Sequence, residues 1–205
     1  MPPKGVPSES NQNPERIDPA DLANQCEQLM PFAKRGQFFG PATGMGLGSG
    51  IIVTNVAQPI YLPDVDAYGT GRGAALVLTH ECDIDPENIR PFSDKALVAP
   101  IIRLEKYIES FGRNHGINDT ISLASHAAKG NTPRLFFLPR FGDDNSPLHF
   151  GGLIDFNYIT SCGLQSLGRS PILCALSGYA ISIIDKALHN HLFRPKVDSV
   201  PLPHG

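Results

Sequence analysis

The sequence predicts an α+β, β-rich fold: a small, strongly bent β-barrel formed mainly by residues 35 to 103 and 133 to 158, with peripheral helices and a long C-terminal helix. Three observations lead there. Short apolar runs recur, each bounded by Gly, Pro or Asn, as strands separated by turns require. Glycine and proline number 20 and 19 among 205 residues, which favours many turns over long helices. Only the segment after Ser170 carries a long apolar stripe at helical spacing.

Residues 1 to 17 hold prolines and almost no apolar side chain, so burial cannot offset the entropy of ordering them, and a disordered tail is expected. Asp18-Pro19 reads as an N-cap with proline in the first turn, and Leu22, Cys26, Leu29 and Met30 supply one apolar face for a helix ending near Pro31. Strands follow at Gln37-Phe38-Phe39, Ile51-Ile52-Val53 and Ile60-Tyr61-Leu62. The linking Gly44-Met45-Gly46-Leu47-Gly48-Ser49-Gly50 matches neither G-x-G-x-x-G nor a P-loop, and reads as a loop or a bent strand. Ala74 to Thr79 and Lys95 to Ile102 are buried strands, interrupted by a turn-rich Asp85-Pro86-Glu87-Asn88 segment. Leu104 to Arg113 and Thr120 to Lys129 are helices, Arg134 to Pro139 is a strand, and another lies within Leu148 to Tyr158. Ser170-Pro171 reads as the start of the last helix, which runs to about Phe193 before Pro195 stops it.

The length suits one domain, residues 18 to 205. Hydrophobic residues make up 41% and charged residues 18%, and the net charge of −3 offers no global attraction for nucleic acid. Nucleic-acid binding would need a local basic groove. Cys26, Cys82, Cys162 and Cys174 form no C-x-x-C pair, and the N-terminus shows no signal segment, which together favour a reduced cytoplasm. No run approaches the ~20 apolar residues of a membrane span.

The densest chemistry lies in Thr79-His80-Glu81-Cys82-Asp83, at the end of a buried strand. Three readings apply. Cys82 can serve as a nucleophile if an imidazole and a carboxylate meet it, and His149 with Asp155 are in suitable chain order; Glu81 and Asp83, however, flank the thiol with negative charge. His80, Cys82 and Asp83 can instead join Cys162 or His149 around a zinc ion, although structural zinc usually takes two compact ligand pairs and only one is present. The simplest reading is a strand end whose polar side chains bond nearby backbone, with Cys82 filling core space. Cys162 and Cys174 read as core residues, the latter on the last helix. His189 and His191 suit the C-terminus of that helix. Arg140, Arg169 and Arg194 are candidates for an anion site, with separate solvated arginines as the default.

The order Gly71-Arg72-Gly73, strand Ala75 to Thr79, irregular loop and Ala96-Leu97-Val98-Ala99-Pro100-Ile101 resembles the MazF/PemK-type toxin family over about residues 35 to 103. The resemblance implies an SH3-like barrel, a bacterial or phage-associated setting and a protein partner or homodimer. The Thr79-x-x-Cys82-Asp83-Ile84 stretch is also similar to bacterial and phage proteins with a T/S-x-x-C-D-I/L motif. In the toxin family, a basic residue before the strand and a hydroxyl residue after the proline cooperate in RNA cleavage. Arg72 fits the first role. Ile101, Ile102 and Arg103 stand where the hydroxyl belongs, and Gly73-Ala74 replaces the family's usual Arg-Pro. The expectation is a binding or regulatory module without that ribonuclease activity; the alternative is a divergent nuclease or hydrolase using Arg72 or the His80-Cys82-Asp83 region.

Overall fold

The computed structural model describes residues 16–31, 37–40, 46–62, 66–85, 87 and 94–193. Among them are strands β1 (Phe39–Gly40), β2 (Ile51–Leu62), β3 (Ala67–Val77), β4 (Lys95–Arg103), β5 (Leu135–Leu138), β6 (Gly152–Asp155), β7 (Thr160–Gly163) and β8 (Ile172–Leu176). The helices are α1 (Pro19–Leu29), α2 (Glu81–Ile84), α3 (Leu104–His115), α4 (Ile117–Ala128), α5 (Leu164–Leu167) and α6 (Gly178–Leu192). Every ladder is antiparallel, in the order β1-β8-β2-β3-β4-β6-β5. β6 and β7 share one edge of β4, pairing with Ile101–Arg103 and with Lys95–Val98 respectively.

The fold is thus mixed α+β with an open sheet. The expected barrel closure does not appear as a ladder among the described residues: β7 curls toward β2 but forms no pairs with it. Helices also take a larger share than the Gly and Pro content suggested; α3 and α4 follow each other with only Gly116 between them, whose φ of +84° suits a residue without a side chain.

The local signals explain most elements. Asp18 accepts a hydrogen bond from the Ala20 amide at 2.8 Å, as an N-cap should, and α1 buries Leu22, Ala23 and Cys26. The expected tail lies outside the described residues up to Glu15, while Ile17 packs against the α1 core rather than continuing a tail. The two expected strands at 51–53 and 60–62 are one continuous β2, because Asn55 does not break it. Val53 pairs with Ala75 and Val56 with Gly73, so β2 carries one extra residue there, and Asn55 takes φ +58°. From Val56 onward β2 pairs only with β3 among the described residues, which leaves an open edge where Pro59 needs no ladder donor.

The C-terminal helix begins later than Ser170-Pro171 implied. Ile172 to Leu176 is instead β8, inserted between β1 and β2. Its apolar run fits either period, and burial on both sides selects the strand. Ser177 is the true cap, its hydroxyl accepting from the Ala180 amide at 3.1 Å. Cys174 accordingly belongs to the sheet and not to the last helix.

Both faces of the sheet are covered. Ile52, Leu76, Ala99, Ile101, Phe136 and Ile154 pack one face against Ala180 and Ile184 of α6. On the other face, Leu135, Phe137 and Leu153 meet α1, α3 and α4, whereas Val53, Val56, Ala75, Val77 and Val98 meet Leu167 of α5. Two ion pairs fasten this arrangement. Arg134 grips Asp155 with two guanidinium nitrogens, at 2.9 Å to Oδ1 and 2.7 Å to Oδ2, across the β5–β6 pair. Arg140 reaches Glu27 at 2.8 Å and Asn24 at 2.6 Å, tying α1 to the loop after β5.

Candidate functional site

The His80-Glu81-Cys82-Asp83 stretch lies where β3 ends and α2 begins, and its polar groups serve local structure. Thr79 Oγ1 accepts from the Leu97 amide of β4 at 2.7 Å. His80 is the N-cap of α2, with Nδ1 facing the Cys82 amide at 3.3 Å and Nε2 lying 3.6 Å from Glu81 Oε1. Cys82 is exposed, not core-filling as expected, because α2 turns it outward while Ile84 takes the buried position. The strand-end account of Thr79 and His80 therefore matches the geometry, apart from the thiol.

The partners considered for Cys82 are engaged elsewhere. His149 Nδ1 faces Asp144 Oδ1 at 3.5 Å, and Asp155 is buried beneath Arg134 while its Oδ1 also takes the Asn157 amide at 3.0 Å. Among the described residues no group of three or more His, Cys, Asp or Glu side chains is placed to hold a metal ion. Cys162 is buried on β7. Nor do the described residues of the glycine-rich segment form a phosphate cradle: a Cβ on Gly48 would lie 2.9 Å from Glu81 Cβ, and one on Gly50 would meet Ile181. That loop packs against α2 and α6.

The residues brought together most suggestively are Arg72 and Arg169. They line a cleft of about 230 Å³ with Asn55, Gln165, Ser166 and Ser170. Its construction follows from the β2 bulge. The extra residue turns the Asn55 carbonyl toward β3, where Arg72 Nη1 donates to it at 2.9 Å. The neighbouring Thr54 amide donates to Pro171 O at 2.9 Å, and this bond holds the α5–β8 connection against β2. Within that connection, the Arg169 amide donates to Ser166 O at 3.2 Å and Ser170 Oγ to the same oxygen at 3.2 Å. One irregular pair of residues on β2 thereby fixes both walls.

Every lining side chain is polar or cationic. Among the described residues no carboxylate pairs with either guanidinium, and no imidazole lines the cleft. Such a surface favours anions: each guanidinium offers a planar fork of donors suited to phosphate or carboxylate oxygens. It lacks a group to accept a proton near neutral pH, which acid–base chemistry at the same place would need. The position after Pro100 supplies no hydroxyl either, since Ile101 is buried opposite Ala74 and Ile154. Arg140 is committed to Glu27, and Arg194 lies outside the described residues. Gln165, Ser166 and Asn55 are the site residues that sequence reasoning missed; the glycine and asparagine signals near them read as turns. No helix among the described residues is long and apolar enough to cross a membrane. The chain matches no family model and no curated protein.

Proposed function

We propose that this chain is a PemK-like binding module that holds phosphate groups of RNA, or of a similar anionic ligand, in the Arg72–Arg169 cleft without cutting the chain it binds. The observation that carries this reading is that two arginines, Arg72 and Arg169, line one cleft with no carboxylate or imidazole among its described lining residues. The resemblance around Arg72 supplies RNA as the ligand class and the bacterial or phage-associated, cytoplasmic setting, with a protein partner or a second copy as the natural counterpart of a regulatory module. The curl of β2, β3, β4 and β7 supports kinship with a small barrel. The net charge of −3 confines binding to this local patch rather than the whole surface. A hydrolase or nuclease built on His80, Cys82 and Asp83 has less support, because His80 caps α2 and the imidazole and carboxylate considered for Cys82 are occupied elsewhere.

The test is to incubate the purified chain with mixed-sequence single-stranded RNA, following retention and products together. Salt-sensitive retention with intact RNA is expected. Arg72→Gln and Arg169→Gln should each weaken retention about tenfold or more, because a charge-assisted hydrogen bond contributes roughly 1.5–3 kcal/mol. Cleavage abolished by Arg72→Ala would refute the non-cutting part, and retention unaffected by both Gln variants would refute the cleft.

A further inference from the structure

The size and chemistry of the cleft say more about its ligand than its charge does. Its volume of about 230 Å³ falls below the roughly 300–1,000 Å³ of pockets that enclose a drug-sized ligand. It therefore admits a head group rather than a whole nucleotide. No aromatic or aliphatic side chain lines it among the described residues. Proteins that track a single strand through its interior combine a basic groove with aromatic platforms on which successive bases stack. Here only the basic element is present, concentrated at one point.

The donors match a particular anion. Arg72 places one N–H on Asn55 O, and a guanidinium carries five such donors. Arg169 adds a second guanidinium, and the amides of Asn55 and Gln165 and the hydroxyl of Ser166 complete the rim. An internal phosphodiester presents one negative charge on two non-bridging oxygens. A terminal phosphate monoester presents three such oxygens and, near neutral pH, a charge of about −1.5 to −2. Two guanidiniums balance the second and overmatch the first.

We infer that the cleft is specific for a phosphate monoester dianion, the terminal phosphate of an RNA strand or of a small sugar phosphate, in preference to an internal phosphodiester. This rests on the reading of the cleft as an anion site. The dianion loses a charge as pH falls through its second pKa of about 6, and the described lining of the cleft holds no carboxylate or imidazole to change charge over the same range. Recognition of the monoester consequently weakens in mild acid, and that of a diester does not.

The experiment uses the full chain and an internally fluorescein-labelled hexaribonucleotide carrying a phosphate at its 5′ end, at its 3′ end or at neither, followed by anisotropy near pH 7.5 and near pH 5. At the higher pH a phosphorylated end should tighten binding about tenfold, a preference that shrinks several-fold at the lower pH and disappears in Arg72→Gln and Arg169→Gln, as expected when two charge-assisted contacts select the dianion. Competition by ribose 5-phosphate would locate recognition in the phosphate group alone. Its failure to compete, with the end preference intact, would assign the site to an RNA terminus. Equal affinity for all three oligonucleotides, reduced in both variants, would overturn the monoester inference while leaving the anion cleft standing. No binding of any probe would overturn both.

Discussion

Gly151 precedes β6 and joins three parts of the molecule. Its amide donates to Leu148 O at 2.8 Å, and its carbonyl accepts the first amide of α3, Leu104, at 3.2 Å. It has φ +80°, and a Cβ there would lie 2.4 Å from Leu138 O and 3.2 Å from Pro139 C, both backbone atoms that no rotamer change can move. Gly151→Ala therefore combines two costs. The left-handed conformation costs an alanine roughly 1–2 kcal/mol, and the collision adds an overpacking strain of about 1–3 kcal/mol. Gly116 provides the control: φ +84°, with nothing within 4 Å of its added Cβ. Gly116→Ala carries the dihedral cost alone. Gly178→Ala, at the open start of α6 with nothing within 4 Å and no left-handed φ, should stabilise by about 0.4–1 kcal/mol through the unfolded chain. At roughly 2–4 °C per kcal/mol for a chain of this size, thermal melts followed by circular dichroism should place Gly151→Ala lowest, Gly116→Ala between it and the parent, and Gly178→Ala highest. If Gly151→Ala melts together with Gly116→Ala, the backbone collision is not present and the packing of the 148–152 segment has been misread.

Arg134→Met should cost about 2 kcal/mol in urea titrations at unchanged m: stranding a buried carboxylate costs about 3–5 kcal/mol when dry, and the half-exposed position of Arg134 admits screening water. An unchanged midpoint would show that Asp155 does not depend on its guanidinium. Burial pushes the thiols of Cys26 and Cys174 from their ordinary 9.0 up to about 12. Because the folded values are raised, their contribution is fully present below pH 9 and is lost as pH climbs toward 12. The melting temperature should fall across that window, less steeply in Cys174→Ala; parallel pH profiles would contradict the assignment. Iodoacetamide near neutral pH should modify the exposed Cys82 and leave Cys26, Cys162 and Cys174 until the chain unfolds, which intact mass would reveal. Ile184→Asp, on the buried face of α6, should destabilise by several kcal/mol, and Ile183→Asp at its half-buried neighbour by less; equal melting of the two would mean α6 does not seal the sheet as described.

Where structure depends on neighbours in sequence, it was legible. Asp18-Pro19 and the stripe Leu22 to Met30 define α1, and the run from Lys95 to Ile102 defines β4 without reference to any other segment. Ile172 to Leu176 was not legible, because an unbroken apolar run fits both periods and only its place between β1 and β2 makes it a strand. The open sheet was equally hidden, since closure depends on whether β7 and β2 form a ladder, which no local signal encodes. For the site, Arg72 stood out from the glycines on either side, and Arg169 was one of three scattered arginines. Their meeting depends on the Thr54–Pro171 bond and the bulge, both long-range. The His80-Cys82 pair stood out by residue type alone; in the short turn of α2 the imidazole caps the helix and the thiol is exposed.

The extra residue on β2 is surplus to strand pairing. Val53 sits opposite Ala75 and Val56 opposite Gly73, and both valines point into the same core. With Asn55 deleted, Thr54 would fall opposite Ala74 and the flanking pairs would join in an unbroken ladder. Arg72 would then lose the carbonyl to which it donates. The bulge thus separates two things within one strand: the ladder to β3, which runs on either side of it, and the placement of Arg72, which depends on it.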